Sequence, residues 1–492
     1  MRINWKKVLM ISLLSATTQV WANENQVEKG KEKSIENILT LENCHLGEIR
    51  SQVKCGTLNV PENYQQSQGK KIGINFAVLP AIDNSKNKTP LMFLAGGPGQ
   101  AATELATLLN RAFREVRKTR DIILVDQRGT GESHPLSCDF EEEGSVYSTL
   151  TKDFKASDVN ECVSQFKGDL SQYNSENAIR DFDAVRTALG HEKLNVYGGS
   201  YGTRAGLVYM RMFPESLESV VLDGVGPIEV PIGLFGQSVE RAFNILVENC
   251  QKNESCHQAF PNLAEEFQQV KSRLATVPVS IDIQHPRLGT PTKFVLDDEK
   301  FTTNLRMQLY STRGRSLVPL VINQAYLGNY QPLMGLMAST EGEEQVYAGL
   351  HFNIVCNEDV PRISAEMKAV DANNSFDGDT VHFIFDNICP LIPKYRPSDD
   401  FYQSVTANIP TLILSGNLDP VTPPSNGEYS AKSLPNSHHI VVKNTAHIVA
   451  TSTCANDIVN EFLTKKDPKA LDESCLDDIP EETFMTSVNG VQ

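Results

Sequence analysis

The sequence predicts an α/β fold: a mostly parallel central sheet flanked by helices, with a mainly helical segment inserted between two of its strands. Two observations predict it. Unbroken apolar runs alternate with helical spacing up to about residue 227, and the alternation resumes near residue 401. Strands buried on both faces of a parallel sheet read as such unbroken runs, whereas half-exposed strands alternate apolar with polar residues.

At the N-terminus, Arg2, Lys6 and Lys7 precede the short apolar stretch Val8–Ala16, and Val20-Trp21-Ala22 offers small residues for cleavage. Residues 1–22 therefore read as a secretory signal peptide, too short in its apolar part to be a stable membrane anchor. The expected location is exported, periplasmic or extracellular. A polar, Lys/Glu-rich stretch follows, and then the first strands: Gly56–Val60 and Lys71–Leu79, separated by turn-forming residues, suggest an antiparallel pair. Pro90–Ala95, Asp121–Asp126, Leu194–Tyr197 and Ser219–Asp223 read as buried parallel strands, with helical spacing at Ala178–Leu189 and Tyr201–Phe213. After Pro227 the pattern turns helical, interrupted by one β-like stretch at Val277–Val295. Pro410–Ser415 and His439–Val442 restore the strand pattern, and a helix closes the chain. The expected organisation is a core of residues 23–228 and 401–492 carrying an inserted cap, or lid, of residues 229–400.

Composition bounds the partners. Hydrophobic residues make up 40% of 492 positions, ample for a large core. The formal charge is -16, and loss of the leader removes three cations and no acid, leaving -19. So acidic a chain repels phosphate backbones and anionic lipid, so no nucleic acid is expected as a partner. Ten cysteines fall into five near neighbours: Cys44 and Cys55, Cys138 and Cys162, Cys250 and Cys256, Cys356 and Cys389, Cys454 and Cys475. In an oxidising compartment an even set reads as disulfides, and no C-x-x-C pair suggests a metal site. Connectivity stays open; nearest-neighbour pairing is the expectation because short loops close most easily.

Chemistry concentrates in short blocks. Gly198-Gly-Ser200-Tyr-Gly202 lies between a buried strand and a helix, where G-x-S-x-G forms a tight turn that lifts the serine above the sheet. Ser200 is the candidate nucleophile. His447, in a loop after the last strand, is the candidate base; His134 competes, while His438 and His439 fall before or within that strand. Asp419, after the penultimate strand, is the candidate orienter, with Asp223 as an alternative that reads better as a turn residue before Gly224. The order Ser, Asp, His is that of α/β-hydrolases. Ala95-Gly-Gly97-Pro-Gly99-Gln100 is glycine-rich enough to bring a second backbone N–H to a substrate oxyanion. The overlapping Gly97–Ala102 matches G-x-G-x-x-A, with Asp126 as a ribose-binding acid, but that acid lies beyond the usual spacing of about 20 residues.

Taken together, Leu94–Gly99, Val125–Ser133, Gly198–Arg204 and Ser415–Pro420 resemble the α/β-hydrolase serine aminopeptidases, in particular the secreted proline iminopeptidase and tripeptidyl aminopeptidase-like group. The resemblance covers the core and only loosely the cap. It implies an α/β-hydrolase fold, a Ser200, His447, Asp419 triad, and the N–H groups of Gly97 and Tyr201 as oxyanion hole. Iminopeptidases usually carry His where this chain has Ala95 and Trp where it has Tyr201; the tyrosine agrees with tripeptidyl-type members. An exopeptidase must recognise a free α-amine, which calls for carboxylates near the pocket. Cys356-Asn-Glu358-Asp359 supplies two, Glu358 the first candidate and Asp359 the second, and family members carry a similar Cys-x-Glu block; a solvated acidic turn is the competing reading. The expectation is thus a serine exopeptidase acting on peptides with a free N-terminus, using no cofactor and no metal. An esterase or lipase-like hydrolase with the same triad, and a catalytically silent binding protein, are the alternatives.

Overall fold

The computed structural model describes residues 39–86, 88–138, 156–284, 291–340 and 346–490. The leader expected at residues 1–22 lies outside them. Among the described residues no helix is long and apolar enough to cross a membrane.

Nine strands form one sheet in the order β1-β2-β3-β5-β4-β6-β7-β10-β11. The first three, β1 (Glu42–Cys44), β2 (Val53–Pro61) and β3 (Lys71–Leu79), make antiparallel pairs, and β3 pairs antiparallel to β5 (Arg120–Val125). From β5 onward every neighbour is parallel: β4 (Lys88–Leu94), β6 (Leu194–Gly199), β7 (Leu217–Asp223), β10 (Thr411–Gly416) and β11 (Ser437–Val442). Both β6 and β10 are buried at every position, which is why their sequences show no alternation. Helices α1 (Ala106–Ala112), α2 (Ser175–Ala188) and α3 (Tyr201–Met212) belong to the crossovers between parallel strands.

Between β7 and β10 lies the expected insertion. It holds helices α4 (Gly236–Lys252), α5 (Leu263–Thr276), α6 (Asp298–Gln308), α7 (Thr312–Tyr326) and α8 (Ala348–Ile354) and a hairpin of β8 (Val279–Gln284) and β9 (Pro291–Leu296), the β-like interruption of the sequence. The insertion has its own apolar core, in which Phe243, Phe267, Phe301 and Phe376 pack together. After the last long helix, α9 (Ala455–Lys465), the tail crosses to this region: Phe484 is buried in its core, and Glu482 pairs with the buried Arg315. Sequence had grouped that tail with the sheet.

The cysteine connectivity that sequence left open is nearest-neighbour throughout. Cys44 is bonded to Cys55, Cys138 to Cys162, Cys250 to Cys256, Cys356 to Cys389 and Cys454 to Cys475. The bridges at Cys55, Cys162 and Cys475 sit in the core. Those at Cys256 and Cys389 sit in the insertion, where Cys356–Cys389 braces the turn that carries Glu358 and Asp359.

Candidate active site

The carboxyl ends of β4, β6, β10 and β11 open on one edge of the sheet, and each is followed by one of the candidate blocks. This is where parallel α/β sheets place ligands, because the loops there converge beyond the strand ends.

Ser200 sits at φ 55° and ψ -124°, a backbone that L-residues avoid. Two glycines permit it. A Cβ at Gly198 would lie 2.2 Å from the Gly202 oxygen, and one at Gly202 would lie 2.0 Å from the Leu94 oxygen. Gly199, by contrast, would only touch Ile448 Cδ1 at 3.4 Å, so the motif's first and last glycines are obligatory and the middle one is not. The serine N–H donates to Asp223 O at 2.9 Å, while its side chain makes no capping bond to the helix it begins. Half-buried, it keeps its hydroxyl available.

His447 Nδ1 lies 2.8 Å from Asp419 Oδ2. A carboxylate only accepts, so Nδ1 carries the proton and Nε2 is the basic nitrogen. Asp419 is fully buried; its Oδ1 accepts the N–H groups of Val421 and Thr422 at 2.9 and 2.8 Å, and Thr422 Oγ1 donates to Oδ2 at 2.7 Å. Burial alone would raise this carboxyl, but the His447 charge and these hydrogen bonds outweigh it and hold the group below its ordinary range. Gly416 makes room for the histidine loop, since a Cβ there would meet Ala446 O at 2.0 Å.

Asp223 is no mere turn residue. It is buried, accepts from Tyr197 Oη at 2.6 Å, and receives Val449 and Ala450 N–H at 2.9 and 2.8 Å. It thereby pins the chain just past His447, and its neighbour Gly224 faces the imidazole, with a Cβ there 3.1 Å from Cε1. Serine and histidine are thus both referenced to residues 223–224. The competing His134 is exposed in a loop.

The glycine loop passes beside the serine: a Cβ on Gly96 would lie 3.2 Å from Ser200 Cβ. Gly97 and Gly99 have φ of 105° and 111°, which require glycine, and Gly97–Pro98 is cis. Tyr201, as the first residue of α3, has an N–H without a helical acceptor. The insertion lies on this loop: Val346 bridges Gln100, Tyr347 N–H donates to Gly99 O at 2.8 Å, and His351 Nδ1 donates to Pro98 O at 3.1 Å. Both Asp126 oxygens are already taken, because Asn75 Nδ2 and Thr103 Oγ1 bind Oδ2 and Thr103 N–H binds Oδ1. The dinucleotide reading, which needs that acid for a ribose, falls with it.

Glu358 and Asp359 occupy a π-helical turn, Val355–Asp359, at 1% and 0% exposure, so a solvated acidic turn is excluded. They part company there. Asp359 takes Arg204 Nη1 on both oxygens at 2.8 Å, Arg362 Nη2 at 2.7 Å and Ile232 N–H at 3.0 Å. These partners, two of them cations, balance its charge. Glu358 is held by neutral groups instead. It accepts from Ser175 N–H at 2.9 Å, from Ser175 Oγ and from Tyr395 Oη at 3.0 Å. Ser175 Oγ in turn lies 2.7 Å from Tyr201 Oη, so the carboxylate is linked by one hydroxyl to the residue after Ser200. Burial pushes the Glu358 carboxyl up to about 7 against the lowering effect of Ser175, with the Asp359 charge adding to the rise. Ser175, Tyr395 and Thr422 had carried no sequence signal. Among the described residues no cluster of three potential metal ligands occurs.

A family model described as alpha/beta hydrolase fold matches residues 89–450. The chain is 25% identical over 456 residues to serine protease Hip1 of Mycobacterium tuberculosis, covering 83% of this chain and 84% of that protein. To tripeptidyl aminopeptidase of Streptomyces lividans it is 31% identical over 192 residues, 35% of each chain. To proline iminopeptidase of Aeromonas sobria it is 25% identical over 318 residues, 62% of this chain and 66% of that one.

Proposed function

The chain belongs to the alpha/beta hydrolase fold family, and we propose that it is an exported serine exopeptidase that cleaves peptides near a free N-terminus. Its distant homology to serine-protease-like and iminopeptidase-like proteins supports a peptide substrate. The observation that carries the proposal is the buried Glu358 carboxylate, linked through Ser175 to Tyr201 beside the serine elbow. A hydrolase of uncharged esters gains nothing from a desolvated acid there, whereas an α-ammonium gives it a partner.

In this reading Ser200 Oγ attacks the scissile carbonyl while His447 Nε2 takes its proton. The oxyanion forms against the N–H groups of Gly97 and Tyr201, and Asp419 holds the imidazolium at Nδ1. As the tetrahedral adduct collapses, the C–N bond breaks and His447 returns the proton to the leaving amine. Water, deprotonated by the same imidazole, then releases the acyl group from Ser200. Glu358 receives the substrate ammonium; Asp359 and Arg204 hold the turn that presents it. Residues 229–400 act as the cap that restricts access to chain ends, and cleavage after Ala22 yields the exported form.

The test is a panel of chromogenic substrates with one, two and three residues ahead of the reporter, each with a free and an acetylated N-terminus. Strong preference for the free amine supports the proposal, and the best chain length gives the number of residues released. Equal cleavage of both forms sinks it in favour of an esterase-like enzyme.

A further inference from the structure

We propose that Tyr310, contributed by the inserted region, is a positioning residue for His447. The inference rests on the reading of His447 as the base and adds to it a residue from outside the sheet. Tyr310 lies in the short turn between α6 and α7. Its carbonyl oxygen accepts the His447 N–H at 3.1 Å, fixing the main chain that carries the imidazole. Its phenol ring meets the imidazole at 79°, with centroids 5.3 Å apart. One residue therefore holds both the backbone and the ring plane of the histidine.

The turn is anchored in its own right. Arg306, on the last turn of α6, lies beside the Tyr310 phenol. It also pairs with Asp377 at 3.1 Å and places its guanidinium 4.9 Å from the Phe235 ring centroid. Tyr310 is thus fixed by the insertion rather than draped on the histidine by chance. One consequence follows for the reaction. A perpendicular ring restricts rotation of the imidazole away from Ser200. The other charged groups around the ring are Asp419 in direct contact, Asp223 behind the loop, and Arg241, which donates to the carbonyls of Asn417 and Asp419. Substituting Tyr310 leaves all three in place.

The experiment compares Tyr310→Phe and Tyr310→Leu in the full-length enzyme, measuring kcat and KM. The leucine variant is expected to lose roughly tenfold in kcat at unchanged KM, the signature of a misplaced base. The phenylalanine variant, which keeps the ring, is expected to stay within about twofold of the parent. Wild-type kcat in the leucine variant overturns the inference. So does a change in KM alone, which would make Tyr310 a pocket wall, or an equal loss with phenylalanine, which would assign the effect to the hydroxyl. If the leucine variant does not fold, Tyr310→Met decides by the same readouts. Retained activity in His447→Ala would sink the base and this inference together; an inactive His447→Ala beside an unaffected Tyr310→Leu would sink this inference alone.

Discussion

Glu358 and Asp359 are neighbours in sequence, yet their geometry predicts opposite phenotypes. The perturbation is the pair of charge-removing variants Asp359→Asn and Glu358→Gln. Arg204 is 1% exposed and its main ionic partner is Asp359, which meets it with both oxygens. Removing the acid strands a buried guanidinium, a loss of about 3–5 kcal/mol. At roughly 2.1 cal/mol/K of unfolding entropy per residue, 492 residues make each degree worth about 1 kcal/mol, so Tm should fall by about 3–5 °C. Glu358→Gln is different. Its oxygen keeps an acceptor for Ser175 N–H and Tyr395 Oη, its amide donates to Ser175 Oγ, and a charge that burial disfavours is removed, so Tm should hold or rise slightly. Its loss appears instead in kcat/KM for free-amine peptides, at about 10- to 150-fold, the worth of one charge-assisted hydrogen bond of about 1.5–3 kcal/mol. Calorimetry on both variants and kinetics with one free-amine substrate suffice. A stable Asp359→Asn enzyme, or a destabilised Glu358→Gln enzyme with normal kcat/KM, would refute the division of roles.

Three further outcomes are expected. Gly202→Ala should abolish activity because its Cβ would overlap Leu94 O at 2.0 Å, whereas Gly199→Ala should retain most of it; equal losses in an activity assay would contradict the elbow geometry. Asp223→Asn places an amide donor against one of the two N–H groups, Val449 or Ala450, and should lower kcat by about 10- to 100-fold with KM little changed. Because Glu358 titrates at about 7, it is neutral below that pH and charged above it. KM for free-amine peptides should therefore rise as pH falls through about 7, and the pH dependence of KM should vanish in Glu358→Gln.

The sheet was legible because burial on both faces leaves unbroken apolar runs, and the elbow because only glycine fits at 198 and 202. Asp419 and His447 could be singled out by their position after strands, and the bonded cysteines by short separations. The different partners of Glu358 and Asp359 have a physical cause: adjacent residues on a helical turn point in different directions. Asp223 was underrated because its partners, Val449 and Ala450, are backbone groups more than 200 residues away, at separations of 226 and 227. Tyr310 and the tail residue Phe484 act across the same kind of distance, between segments that sequence had assigned to different units. Contacts that join the insertion to the sheet leave no local pattern to read.

The central claim is a Ser200-dependent hydrolase that requires a free amine. The most direct test measures cleavage of one peptide substrate with its N-terminus free and acetylated, by the parent enzyme and by Ser200→Ala. The account predicts that the parent cleaves the free form at least about tenfold faster and that Ser200→Ala cleaves neither. Equal rates on the two forms, or activity that survives in Ser200→Ala, would contradict it.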